Sequence, residues 1–224
     1  MNEHSFMPVA AARTRAAERA EKIDKRDAIL RAATKVFAQH GFFQSQVADV
    51  ARVAGVAAGT VYLYFKGKDD LLVSIFERSM KDVLAEGRAA VQDVVAPETR
   101  LRKLARLHLE RLGRDRDLAV VFQVELRQST KFMARLSSTY LRDYLGLIRE
   151  TIADGQRTRH FRSDVSPTIA AKVFFGALDE MATNWILSSR RYSLAAEASA
   201  VVDLFIGGVG ARQAPRTRTV PRTT

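Results

Sequence analysis

Cysteine is absent from these 224 residues, so neither a disulfide, nor a thiolate metal site, nor a cysteine nucleophile can carry the chemistry. Histidine is scarce as well: His4, His40, His108 and His160 stand at no metal-ligand spacing, which leaves zinc chemistry without support. There is no run of eighteen apolar residues that would cross a membrane, no alternating pattern that would make a strand, and no internal repeat. A phosphate loop is excluded too. Gly67-Lys68 lacks the glycine five residues earlier, where Tyr62 stands, and the Ser or Thr after it, where Asp69 stands. The chain is therefore not expected to be an enzyme, and no catalytic residue, metal or cofactor is assigned. The first thirty residues lack the apolar stretch of a secretory signal, so a cytoplasmic protein with no membrane partner is expected.

What is present is helix and positive charge. Apolar residues make up 47% of the sequence, enough for a real core, and the formal charge is +11. The charge is unevenly placed. Residues 27 to 70 carry five basic and four acidic groups, whereas residues 100 to 162 carry fifteen and seven, and the tail from Ala211 adds four arginines and no acid. Six more basic residues lie between Arg13 and Arg26.

The periodicity is helical throughout. Residues 1–23, rich in Ala and Arg, are expected to be a flexible basic arm. Ile29, Ala32, Ala33, Val36 and Phe37 recur at helical steps until Gly41; Ser45 is placed to cap a second helix that Gly55 ends; a third short helix fits Ala58 to Tyr64. Further helices are expected over about 68–94, 97–113, 116–128, 131–156, 166–189 and 194–210, with Pro97 and Pro167 at starts. The fold class expected is all-α with about nine helices. Its parts are a helix-turn-helix domain at 24–67, a larger helical domain at 68–210 and a disordered tail at 211–224.

Two short helices joined by a tight turn, with a third behind them, suit a DNA reader whose last short helix enters the major groove. The same trihelix also serves proteins that bind no DNA, with Val56, Val61 and Phe65 as plain core. On the DNA reading, Ala57, Ala58 and Gly59 let the backbone approach, Thr60, Tyr62 and Tyr64 offer hydroxyls to phosphates, and Lys66 and Lys68 supply charge. Ser45 and Gln46 precede the supporting helix; Gln46 is either a base reader or an ordinary first-turn residue.

Resemblance decides between these. Phe37-Ala38-x-x-Gly41-Phe42, Asp49-Val50-Ala51, Ala54-Gly55-Val56 and Gly59-Thr60-Val61-Tyr62-x-Tyr64-Phe65-Lys66-x-Lys68 resemble, in order and spacing, the N-terminal domain of the TetR family of transcriptional repressors. The sequence departs from that pattern at Ala57, where a Ser or Thr cap is common, and at Gln46, often Thr or Ser. The resemblance implies a homodimer on a near-palindromic double-stranded operator, with the last two long helices forming the dimer bundle. Those helices are apolar on more than one face here, and Leu178, Met181, Val202, Phe205, Ile206 and Val209 are expected in the interface.

The middle of the chain interleaves aromatics with arginines. Leu104, His108, Phe122, Arg127, Lys131, Arg135, Tyr140, Phe174 and Trp185 are the candidate pocket. Each has a plainer reading: the aromatics as core, His108 as a satisfied core histidine, the arginines as a solvated face. The functional reading is an anionic lipid, its tail among the aromatics and its phosphates on arginines, as in a long-chain acyl-CoA. The stretches Gly176 to Leu194 and Val201 to Val209 are similar to the C-terminal domain of the acyl-CoA-responsive fatty-acid-degradation regulators within the TetR family. That implies release of DNA by long-chain acyl-CoA. Two alternatives remain open: a lipophilic cation and control of efflux genes, for which Glu110, Glu125, Asp179 and Glu180 offer carboxylates, and a nonspecific nucleic-acid binder.

Overall fold

The computed structural model describes residues 7–128 and 139–210, with side chains from Glu21 onward. The described residues hold nine α-helices: α1 Met7–His40, α2 Val47–Ala54, α3 Ala58–Tyr62, α4 Lys68–Val91, α5 Pro97–Arg114, α6 Arg116–Val120, α7 Tyr140–Arg157, α8 Pro167–Leu187 and α9 Ala198–Val209. A π turn, Val121–Glu125, and a 3-10 turn, Leu126–Gln128, continue α6. A second 3-10 turn, Leu194–Glu197, leads into α9. No strand occurs among the described residues; one isolated bridge pairs Phe161 with Gly210.

The flexible arm is corrected at once, because α1 is helical from Met7 rather than from Asp24. Apolar periodicity located only the part of this helix from Asp24 onward. The preceding run is built from Ala, Arg, Glu and Lys, the strongest helix formers, and Glu21 pairs one turn on with Lys25 at 2.7 Å. Expected features at residues 1–6 and at 211–224 lie outside the described residues.

The chain divides into two compact units, though not at residue 67. Among the described residues the first unit takes α1 to α3, α4 as far as Asp82, the run from Leu112 through α6 to Gln128, and residues 139–141; the second takes Val83–Arg111 and everything from Arg142. In the first unit Ile29, Ala33, Phe37, Val50, Val61 and Phe65 form the core under the helix-turn-helix, and α6 with its π turn packs against α1. Gly41 and Gly55 take left-handed φ of 78° and 69°, conformations that let α1 and α2 end in tight turns.

In the second unit Leu101, Leu104, Leu109, Tyr144, Ile148, Phe174, Leu178 and Val202 are the core. α7 ends in a knot: the Gln156 amide donates to the carbonyls of Arg162 at 2.8 Å and Val165 at 2.7 Å, and the Arg162 N–H donates to Val209 O at 2.9 Å. Phe161 is thereby folded back over Gly155, with 2% of its surface exposed.

Candidate nucleic-acid and effector sites

The helix-turn-helix leaves a definite set of side chains in water. Gln46, Ala57, Ala58, Gly59, Tyr62 and Lys66 are exposed, and Thr60 and Tyr64 are half-buried. A Cβ added to Gly59 would meet nothing within 4 Å, so the fold itself does not require glycine there. Small size at this point keeps backbone open to a partner. The uncapped start of α3 follows from Ala57, which sits at the N-cap with no side-chain hydrogen bond.

Two assigned DNA contacts are corrected. Ser45 is 2% exposed, and its Oγ donates to Gly41 O at 2.6 Å; it holds the turn and cannot reach a phosphate. The N-cap of α2 is Gln46, whose N–H donates to the Asp49 carboxylate at 3.0 Å. That bond is the main reason the Asp49 pKa lies below its usual value. Lys68 is the second correction. Its ammonium donates to the carbonyls of Phe43 at 3.0 Å and Ser45 at 3.1 Å, and lies 4.8 Å from the centre of the Phe42 ring. The charge is spent on the turn before α2. Lys68→Met is therefore expected to lower stability by about 1 kcal/mol and to leave the salt dependence of DNA binding unchanged. Denaturant unfolding and a salt series of DNA titrations check both; a slope shallower by about one would return Lys68 to the phosphate contacts.

The sequence offered Glu125 only as a carboxylate for a cation, and its role in the fold was missed. This residue of the π turn is 6% exposed, and its Oε2 accepts the Phe42 N–H at 2.7 Å across 83 residues of chain. The carboxylate accepts this N–H just beyond the end of α1, a charge-assisted bond that ties the turn after that helix to the π turn. Gln128 adds a longer bond, 3.3 Å, to the same oxygen. Glu125→Leu is expected to cost about 2 kcal/mol by removing this buried hydrogen bond to a carboxylate, and Glu125→Gln clearly less because an acceptor remains. Thermal unfolding of the two variants would separate them; equal losses would mean that charge, not acceptance, matters.

The described candidate pocket residues are divided between the two units. Lys131 and Arg135 lie outside the described residues. Phe122 packs with Phe76 at 5.4 Å in the first unit, which also contains exposed Arg127 and half-buried Tyr140. In the second unit Leu104 is fully buried core, Phe174 meets Phe205 edge-on at 4.9 Å, and the Trp185 indole donates to Tyr192 O at 3.1 Å. His108 has different company. Tyr144 stacks on it at 5.9 Å, Phe175 meets it edge-on at 5.7 Å, and the Tyr144 hydroxyl lies 3.4 Å from Nδ1. Burial holds the His108 pKa down to about 4, against the smaller opposite pull of Asp179, so the ring is neutral at pH 7. Burial also raises Tyr144. Phe175 was missed because Phe174 and Phe175 are adjacent, and helix phase alone chooses between them.

The dimer face also needs revision. Leu178 and Val202 are 0% exposed within their own unit and so cannot meet a partner. Met181, Phe205, Ile206 and Val209 are half-buried. The apolar groups that α8 and α9 leave in water are Ile169, Val173, Leu187 and Leu204, with Gly176, Ala177, Gly207 and Gly208 exposed beside them. Among the described residues no cluster of His, Cys, Asp or Glu could hold a metal, and no helix is long and apolar enough to cross a membrane.

An all-α chain with an N-terminal helix-turn-helix and a larger helical C-terminal part is an architecture shared by helix-turn-helix transcriptional regulators, and comparison with known proteins gives the family. Residues 29–75 match the bacterial regulatory proteins of the tetR family, and residues 76–208 match the YsiA-like protein C-terminal region. This chain belongs to the TetR family of transcriptional regulators. It is similar to the fatty acid metabolism regulator protein of Bacillus subtilis (strain 168), with 32% identity over 81% of this chain and 93% of that protein. Among solved structures it resembles the fatty acid degradation regulator FadR from Bacillus halodurans, with a TM-score of 0.79, 36% identity, and 84% and 97% of the two chains covered. It also resembles FadR from Bacillus subtilis in complex with stearoyl-CoA, with a TM-score of 0.77, 32% identity, and 81% and 98% covered.

Proposed function

We propose that this protein is a repressor of fatty-acid degradation genes that binds a near-palindromic operator as a homodimer and is released by a long-chain acyl-CoA. The observation that carries the effector class is the likeness, over most of both chains, to a regulator crystallised with stearoyl-CoA. The operator reading is supported by the exposed, small-residue entry to α3 at Ala57, Ala58 and Gly59, with Gln46, Tyr62 and Lys66 beside it in water. A second copy would cover the apolar stripe of Ile169, Val173, Leu187 and Leu204, with the exposed glycines allowing close helix approach. Two recognition helices would then address half-sites about one helical turn, ~34 Å, apart.

Release is a population shift, in which acyl-CoA binds the DNA-incompetent arrangement more tightly. α4 is suited to carry it. Its first turn is tied to the operator-facing turn through Lys68, and the Asp70 carboxylate accepts the Lys66 N–H at 2.9 Å, so rotation of α4 moves that turn with it. A cation effector has less support: Glu125, the most buried of the four carboxylates, is committed to Phe42 N–H, and Glu180 is exposed.

The test is a mobility-shift titration on an operator selected from random DNA, adding stearoyl-CoA, CoA, free stearate or a lipophilic cation. Release by the acyl-CoA alone is expected. Release by the cation alone, or affinity independent of DNA sequence, overturns the reading.

A further inference from the structure

Buried polar atoms in folded proteins are nearly always paired, and one left over requires a reason. His108 presents such an atom. It stands on α5 among Leu104, Ala105 and Leu109, all fully buried, with Tyr144 of α7 and Phe175 of α8 against its ring. The phenol keeps its proton, because burial opposes its ionisation, and the imidazole is neutral for the same reason. The Tyr144 hydroxyl and His108 Nδ1 lie 3.4 Å apart, and we take the phenol as the donor of that pair, which puts the ring's own hydrogen on Nε2. Nε2 is closed to solvent and has no partner among the described residues. The result is a neutral N–H, closed to solvent, on a half-buried ring that has aromatic neighbours in Tyr144 and Phe175.

Such a donor is wrong for most of an acyl-CoA. Phosphates require cations, and a hydrocarbon chain requires no donor. A neutral N–H suits the carbonyls instead, those of the two pantetheine amides and of the thioester, and the thioester carbonyl is the one joined directly to the buried acyl chain. We propose that His108 Nε2–H donates to the thioester carbonyl oxygen of the bound acyl-CoA, so that His108 is the residue by which the effector site recognises the thioester. Tyr144 is the positioning residue that places the hydrogen on Nε2. This rests on the acyl-CoA reading above. It adds a discrimination that a hydrophobic slot alone does not provide: a chain of equal length without the carbonyl leaves the donor unmet.

The experiment compares stearoyl-CoA with octadecyl-CoA, the thioether in which a methylene replaces the carbonyl, by calorimetric titration of the full chain. Wild type is expected to prefer the thioester by about 10-fold, the value of one hydrogen bond to a buried donor. In the double variant His108→Phe with Tyr144→Phe, donor and partner are replaced together by apolar rings. The preference should fall to near one while the melting temperature of the unliganded protein does not drop, because an unmet donor has been removed. His108→Gln, which keeps an N–H, should retain part of the preference and serves if the double variant does not fold. An unchanged preference in the variants overturns the assignment and leaves the acyl-CoA reading standing. A sharp loss of stability with the preference intact makes His108 a core residue. Failure of wild type to bind either ligand overturns the acyl-CoA reading itself.

Discussion

Gly155→Ala is expected to lower the unfolding free energy by about 3 kcal/mol, the upper end for overpacking a closed core. A Cβ there would stand 2.2 Å from Cδ2 and 2.5 Å from Cε2 of Phe161. The ring has nowhere to go. Phe161 N–H is bonded to Gly155 O at 3.0 Å, and the residues after it are held by Gln156 and by Val209 O. The gain in helix propensity from glycine to alanine, about 1 kcal/mol, works in the other direction and is too small to compensate. Gly146 lies in the middle of the same helix with nothing within 4 Å of its would-be Cβ, so Gly146→Ala is the control and should be neutral or stabilising. Denaturant unfolding of the two variants decides the matter. Equal stabilities would mean that Phe161 is not seated on Gly155.

The second large effect is with pH. Free histidine titrates near 6.5, while the folded protein holds His108 at about 4. Between these values the unfolded chain binds more protons than the folded one, so stability rises with pH across that window. The contribution is fully present above about pH 6.5, is lost as pH falls, and levels off below the folded value; its size is up to about 3 kcal/mol. Asp49 and Asp154, both below the usual carboxylate range, add losses at lower pH, Asp49 chiefly through the Gln46 N–H and Asp154 chiefly through its hydrogen bond with Arg157. The histidine part is read from the difference between wild type and the double variant His108→Phe with Tyr144→Phe between pH 5 and 7. Wild type should show the steeper slope. Parallel curves would place His108 in contact with water.

Legibility in the sequence followed the reach of the interaction concerned. Helices with their own caps and breakers were legible to within a few residues: Gly41 and Gly55 end α1 and α2, and Pro97 and Pro167 open α5 and α8. The order Gly59-Thr60-Val61-Tyr62 was enough to place α3. Errors arose where one residue of phase, or a distant partner, decided the outcome. Ser45 and Gln46 are both plausible caps for the same helix, and only the path of the turn makes the first a buried bolt and the second the cap. Lys68 looked like a phosphate contact because a lysine at a helix start is usually exposed; here two carbonyls and a ring lie within its reach. Leu178 and Val202 are as apolar as interface residues should be, and no pattern distinguishes inward from outward on a helix that is apolar all round. Glu125 stood out only as a carboxylate for a cation, and nothing local pointed to Phe42, since that partner lies 83 residues away.

The Glu125 bond bears on how this protein can be cut and recombined. Regulators of this architecture invite modular engineering, in which an operator-reading head is grafted onto a new sensor by joining sequences just after the third helix. Here the head is completed by chain from the far side of that junction, because Leu112 to Gln128 belongs to the same compact unit and supplies the acceptor for Phe42. A head excised at residue 67 would lose that acceptor along with the lysine staple at Lys68. A chimera that keeps this chain's operator preference should therefore carry the 112–128 segment together with its N-terminal helices, as a discontinuous cassette rather than a single leading block.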